Sequence, residues 1–268
     1  MSTFVDPADI RSAFSAVMSD MYRNEVPLYS DLLNLVADVN AETLQHSPEL
    51  QSQLQSTGEL SRLSLERHGA IRLGKPEELS TMRRLFAIMG MFPVGYYDLA
   101  PAGVPVHSTA FRALDDSALN QSPFRVFTSL LRLDLINDAA LRAQATAILA
   151  KRQIFTDGAL ALIDKAEAQG GLNEADAQIF VREALETFRW HETATVSHEM
   201  YQALLNQHRL IADVVAFRGP HINHLTPRTL DIDAVQTGMR ERKITPKAVI
   251  EGPPPRKCPI LLRQTSFK

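Results

Sequence analysis

Cysteine is nearly absent: the 268 residues contain one, Cys258, which rules out an intramolecular disulfide framework and any multi-cysteine zinc or iron–sulfur centre. Such usage fits a reducing compartment, and a cytoplasmic location is expected. An excess of basic charge is also missing. With 28 Lys and Arg against 31 Asp and Glu the net charge is −3, which argues against a nucleic-acid partner and for small-molecule ligands. Long apolar runs are lacking too. The longest uncharged stretch, around "LFAIMGMFPVGYY", is too short to span a membrane and carries Pro93, so no membrane role is expected. The start, "MSTFVDPADIRSAF", has no basic region followed by an apolar one and does not read as a secretory signal. There is no glycine-rich phosphate loop, no nucleophile elbow, no internal repeat and no low-complexity segment. What remains is an apolar fraction of 45% and a charged fraction of 22%, ordinary for a protein with a buried core.

The pattern along the chain predicts an α+β fold. Asp6 and Pro7 open a helix whose apolar face carries Ile10, Phe14, Val17, Met18 and Met21. A second apolar stripe, Tyr29, Leu32, Leu33, Val36 and Val39, predicts another. "LSRLSLERHGAIRLG" then shifts toward strand character and stops at Gly74; Pro76, Glu77 and Glu78 look like the first turn of a helix ending at Gly90. "VPVHSTAFRAL" and "FRVFTSLLRL", rich in β-branched and aromatic residues, predict two antiparallel strands joined by the polar segment "DDSALNQSP" and added to the sheet that holds His68. Residues 137–208 read as a helical insertion in four pieces, capped by Asn137, Thr156, Asn173 and Ser197. Strand character returns in "DVVAFRG", and the tail "EGPPPRKCPILLRQTSFK" ends on a strand-like run after three prolines. The expectation is a single domain over 1–268 with a mixed or antiparallel central sheet and a helical subdomain, incomplete at its C-terminus.

Chemistry is most concentrated in "GPHINHLTPRTLDID", residues Gly219 to Asp233. Pro220 and Pro227 bracket His221 and His224, so an extended conformation is expected. In a strand, residues three apart face opposite ways, and only one of the two histidines enters a given site. His224 is favoured because Ile222 and Thr226 alternate with it and can line an enclosed face; His221 is not excluded. The second candidate is His68. In an extended segment His68, Ala70 and Arg72 share a face, with the imidazole and the guanidinium roughly 13 Å apart at Cα. A neutral imidazole suits iron or zinc, and an arginine takes a carboxylate bidentately, so the pair fits a metal enzyme acting on an organic acid. Each residue also has a plainer reading. A strand histidine is more often a structural hydrogen-bonding group, and Arg72 can close a surface ion pair. Asp231 and Asp233 suit helix capping of "AVQTGMRER", His191 and His198 read as surface or core residues whose spacing of seven would allow a shared helix face, and His107 has no assigned face. Cys258 has no neighbour that marks a reactive thiol.

"HGAIRLG", "FPVGYYDL", "VPVHSTAFR", "FRGPHINHLTPRTLDID" and "IEGPPPRKCPILLRQTSF" together resemble the 2-oxoadipate dioxygenase/decarboxylase family, once a domain of unknown function and similar to the vicinal-oxygen-chelate enzymes. The likeness runs over nearly the whole chain. It implies a vicinal-oxygen-chelate-like sheet and an iron(II) enzyme that uses O2 to decarboxylate and hydroxylate 2-oxoadipate, giving 2-hydroxyglutarate in lysine catabolism. On this resemblance His68 and His224 match the metal-binding histidines, and Arg72 the arginine that takes the substrate carboxylate. The family's third ligand, a glutamate, falls beyond residue 268 and has no counterpart here; neither Glu251 nor Asp231 has a geometric claim to replace it. Two other readings compete: a metal-dependent isomerase or lyase of the vicinal-oxygen-chelate type, and an inactive truncated homologue whose open sheet edge pairs with another chain.

Overall fold

The computed structural model describes residues 4–252, 254 and 263–267. Two compact units emerge, one holding Met1–Met21 with Arg67–Thr226, the other Tyr22–Glu66 with Pro227–Lys268. No helix among the described residues is long and apolar enough to cross a membrane.

The first unit is built on a five-stranded mixed sheet in the order β2-β3-β4-β1-β5. The strands are β1 (Arg67–Leu73), β2 (Phe92–Asp98), β3 (Val106–Arg112), β4 (Arg125–Leu131) and β5 (Ile222–Pro227). β3 and β4 pair antiparallel, as the residue pattern predicts; β2 adds antiparallel to β3, whereas β1 and β4 run parallel. One sheet face is packed: Ile71, Leu73, Val126 and Phe111 are all buried on it. Against it lies α4 (Pro76–Ile88), whose Met82, Leu85 and Phe86 are fully buried; the Phe86 and Phe111 rings sit 5.0 Å apart. Pro76 at the helix start and Gly90 at φ +64° just past its end frame this helix. The N-terminal helix α1 (Pro7–Glu25) begins where Asp6 accepts a hydrogen bond from the Ala8 amide, and it sends Phe14 into an aromatic cluster with Phe124 and Phe188. Arg11 is also buried, donating to the carbonyls of Ser122, Met89 and Ala118, so its guanidinium is satisfied by backbone acceptors at the ends of α4 and α5 (Asp116–Gln121).

The helical block runs further than the sequence predicts. Helices occupy α6 (Ala139–Ala150), α7 (Asp157–Gln169), α8 (Glu174–Glu186), α9 (His198–Gln207) and α10 (Arg209–Ala216). Thr156, Asn173 and Ser197 cap α7, α8 and α9 through their side chains, but Asp138 rather than Asn137 caps α6. Gly170 ends α7 at φ +86°, which only glycine adopts without strain. The first four residues of the strand expected in "DVVAFRG" instead end α10, which the His208 side chain caps, and Phe217 beyond it forms an isolated bridge with Ala194. In α10 Leu210, Ile211, Ala212, Val214, Val215 and Ala216 are all buried, so no polar face announces the helical period. The segment expected to be a loop between β3 and β4 contains the short helix α5 (Asp116–Gln121), which Asp115 caps.

In the second unit α2 (Tyr29–His46) packs against α3 (Pro48–Ser56), which the sequence reading passed over, and against α11 (Ile232–Glu241). A Cβ on Gly238 would stand 2.5 Å from Leu35 Cδ1, so this glycine permits the close helix crossing. The buried Asn40 donates to the Arg228 carbonyl and accepts from the Leu230 amide. Asp231 caps α11 as expected, while Asp233 lies inside that helix and pairs with Arg263. Cys258 and most of the tail expected to be a strand lie outside the described residues. Of its remainder, Gln264 and Phe267 form isolated bridges to Glu251 and Pro246.

Candidate functional site

β1 alternates as its sequence requires: Gly69, Ile71 and Leu73 are buried on the packed face, leaving His68, Ala70 and Arg72 half-buried on the other. Register extends this second face across the sheet. His68, Ala70 and Arg72 lie opposite Arg125, Phe127 and Ser129 of β4, and beyond them Ala110 and Ser108 of β3 lie opposite Phe127 and Ser129. The Ser108 and Ser129 hydroxyls meet at 3.1 Å, and Tyr97 of β2 brings its ring to 6.2 Å from that of Phe127. The face thus offers an imidazole, a guanidinium, two hydroxyls and an apolar floor. Toward one end it closes against an apolar core in which Val106 and Leu131 join residues of α6, α9 and α10.

Arg72 is not free. Its Nη1 donates to Asp213 Oδ2 of α10 at 2.5 Å, with side-chain exposures of 30% and 19%. The plainer reading of Arg72, an ion pair, is therefore correct as far as it goes, but the pair is sheltered and sits on the candidate face. A buried network just beyond it fixes the two elements that carry the pair. Arg152 clasps Glu78 through Nε and Nη2 at 2.9 and 2.7 Å and donates from Nη1 to the carbonyl of Val214, next to Asp213. Glu78 in turn accepts from the amide of Gly74, two residues after Arg72. A Cβ at Gly74 would stand 2.6 Å from Leu149 Cδ2 and 2.9 Å from Arg152 Nη2, both buried. Gly74→Ala is accordingly expected to destabilise the protein by about 1–3 kcal/mol through overpacking, read as a lowered urea midpoint.

His224 lies on β5, the strand that neighbours β1. The enclosed face expected from Ile222 and Thr226 does not form as such: Ile222 is buried with its Cδ1 3.1 Å from where a Gly69 Cβ would be, on the packed side, and Thr226 is half-buried. Burial along β5 falls on Ile222 and Leu225, three apart, and departs from strict alternation. His221 lies just before the strand at φ +24°, so the two-residue period does not assign it a face. Its ring packs edge-on to Trp190 at 4.3 Å, and the His191 ring fills the space beside Gly219. Burial pushes the His221 imidazole below its usual pKa; the Asp213 carboxylate opposes this shift, and Arg72 and His191 add to it.

Among the sequence-predicted residues, His68 and Arg72 share one face, His224 is on the next strand, and His221 joins the surroundings of Arg72 and Asp213. His191 and His198 do not share a helix, since His191 precedes α9 and His198 opens it. Asp213 and Trp190 were missed. The signal for Asp213 was present, because it is the one charge in the apolar run 210–216. His68 and His224 offer two imidazole donors of a type that suits iron or zinc. The described residues hold no group of three or more His, Cys, Asp or Glu side chains placed to bind a metal. A cavity of about 530 Å3 opens elsewhere on this unit, lined by Lys151, Arg152, Gln153, Thr195 and Arg218 among others, and none of His68, Arg72 and His224 borders it.

Comparison with known proteins extends this geometry. The chain is 65% identical to the 2-oxoadipate dioxygenase/decarboxylase of Pseudomonas putida KT2440 over 265 residues, 99% of this chain and 57% of that protein. It is 61% identical to the protein of the same name from Escherichia coli K12, over 100% of this chain and 60% of the relative. The chain therefore spans about 60% of the length of these relatives. The crystal structure of the P. putida hydroxyglutarate synthase in complex with 2-oxoadipate superposes with a TM-score of 0.96 at 64% identity, covering 100% of this chain and 59% of that one. A glyoxalase-superfamily protein from Ralstonia eutropha JMP134 shares the fold, with a TM-score of 0.67 at 16% identity, over 92% of this chain and 71% of that one. A family profile described as 2-oxoadipate dioxygenase/decarboxylase matches residues 14–268. With that match over both of its compact units, the chain belongs to the 2-oxoadipate dioxygenase/decarboxylase family.

Proposed function

We propose that this chain acts in an iron(II)-dependent oxygenase that converts 2-oxoadipate and O2 into 2-hydroxyglutarate and CO2, in the lysine catabolism of the cytoplasm. The observation that carries the reading is the likeness of all of this chain, at 64% identity, to 59% of a hydroxyglutarate synthase crystallised with 2-oxoadipate. The reaction balances without a further reductant. The C1 carboxylate leaves as CO2, one oxygen atom turns the keto carbon into a new carboxylate, and the other hydroxylates the carbon beside it. Iron, when bound, supplies the electrons that activate O2 and a Lewis-acid seat for the 2-oxo acid.

The chain's own residues hold and orient. His68 and His224 are the two imidazole ligands, and the third donor of a two-histidine, one-carboxylate site is supplied from outside the described residues. Arg72 takes the far carboxylate of the substrate, for which its planar fork is suited. His68 and Arg72 are four residues apart on one face of β1, a separation of roughly 13 Å that side chains reaching inward from both ends leave for a six-carbon diacid. Phe127 and Ala110 give its methylene chain an apolar floor, and water is kept off the far end by the α6, α9 and α10 core.

The test is an oxygen-electrode assay of the purified protein with iron(II) and 2-oxoadipate. One CO2 and one 2-hydroxyglutarate are expected for each O2 consumed, and none without O2. Turnover under anaerobic conditions would replace this reading with a Lewis-acid isomerase or lyase.

A further inference from the structure

We propose that Asp213 is the positioning residue for Arg72, fixing the guanidinium so that the site separates dicarboxylic from monocarboxylic 2-oxo acids. This rests on the reading of Arg72 as the group that takes the far substrate carboxylate. Asp213 has no packing reason to be where it is. It is the one charged residue among the buried apolar positions of α10 from Leu210 to Ala216, and its carboxylate meets Arg72 with only 19% of its side chain exposed. An aspartate in such a run costs desolvation, which a single sheltered partner offsets only when the geometry is well made.

The geometry is well made because both ends are held. Val214, next in the helix, accepts from Arg152, whose bidentate partner Glu78 also accepts from Gly74, just beyond Arg72. Farther along, the Thr195 amide donates to Ala216, and Ala194 bridges Phe217. Asp213 and Arg72 are thus set by a common framework although 141 residues separate them in sequence. Asp213 engages Nη1 alone, and the rest of the guanidinium fork keeps the fixed direction needed to meet a second carboxylate. An Arg72 without this brace would still attract anions, but would sample several rotamers and read chain length poorly. His221 stands beside the pair, held against Trp190 in a strained left-handed conformation, and gives the wall its third element.

Two measurements test the proposal. The first needs no ligand. In the intact chain, the guanidinium Nη protons of Arg72 should give separate NMR signals because rotation is restricted; in Asp213→Asn they should average. The second is equilibrium binding, with iron(II) present and O2 excluded so that nothing turns over, of 2-oxoadipate against 2-oxohexanoate, which lacks the second carboxylate. Trp190 is the chain's one tryptophan and packs on His221, so its fluorescence reports occupancy. Asp213→Asn should lower the preference for the diacid about tenfold while leaving affinity for the monoacid unchanged. Asp213→Glu, which keeps the charge, should recover most of it. A preference and an NMR pattern unchanged in Asp213→Asn, beside an Arg72→Met variant that loses all discrimination, would overturn the proposal and leave the role of Arg72 standing. Discrimination that survives Arg72→Met would remove both.

Discussion

Replacing His224 with alanine is expected to lower iron-dependent O2 uptake with 2-oxoadipate by about 100-fold or more, since even indirect partners of metal ligands cost 10–100-fold when lost. His68→Ala should do the same, and the double variant should add little, because a site missing one imidazole already fails to orient iron and substrate together. Folding should survive both changes. His68 and His224 are half-buried on the neighbouring strands β1 and β5, and neither belongs to the fully buried cluster of Phe14, Phe86 and Phe111. The assay is therefore read beside metal content and the thermal melt. Lost iron with an unchanged melt assigns the histidines to the metal. A His224→Ala variant that keeps wild-type uptake and iron would remove that assignment and make His221 the next residue to replace.

Glu78→Ala should be the most damaging change away from the candidate site, costing about 3–5 kcal/mol, because it strands the buried Arg152. The side chains of Arg152 and Glu78 are 5% and 2% exposed, and Glu78 also serves the Gly74 amide. Over a protein of this size such a loss corresponds to a fall in Tm of roughly 10 °C. The double variant E78M/R152M should lose less than Glu78→Ala, since neither charge is then left alone in an apolar place. A Glu78→Ala protein that melts like the wild type would mean that water reaches Arg152 and that the network does not clamp α10 to the end of β1. If the clamp holds as the geometry implies, residual folded E78M/R152M should also bind 2-oxoadipate less selectively, because Asp213 and Arg72 would lose their common frame.

The elements that the sequence displays clearly are those with one wet and one dry side. In β1, the alternation of Gly69, Ile71 and Leu73 with His68, Ala70 and Arg72 is a property of a single strand, so two candidate residues could be put on one face before any partner was known. The stripe of α4 and the caps Thr156, Asn173, Ser197 and Asp231 are equally local, each residue acting within its own turn. α10 escaped because it is buried nearly all round, and a short apolar run rich in valine looks alike as strand or helix. The face of His221 could not be assigned from the alternation, because its left-handed backbone places it before the strand rather than in it.

The sequence by itself determined an α+β chain with a period-two strand bearing His68 and Arg72, a proline-bracketed segment with His224, and motifs that resemble one enzyme family. Tertiary structure alone decided that β1 runs parallel to β4, that β5 is its other neighbour, and that α10 turns Asp213 toward Arg72. The division follows from range. Side-chain period, capping and proline restraint act over a few residues and are written in the local order, whereas an ion pair across 141 residues exists only after the sheet and its helices have closed around it.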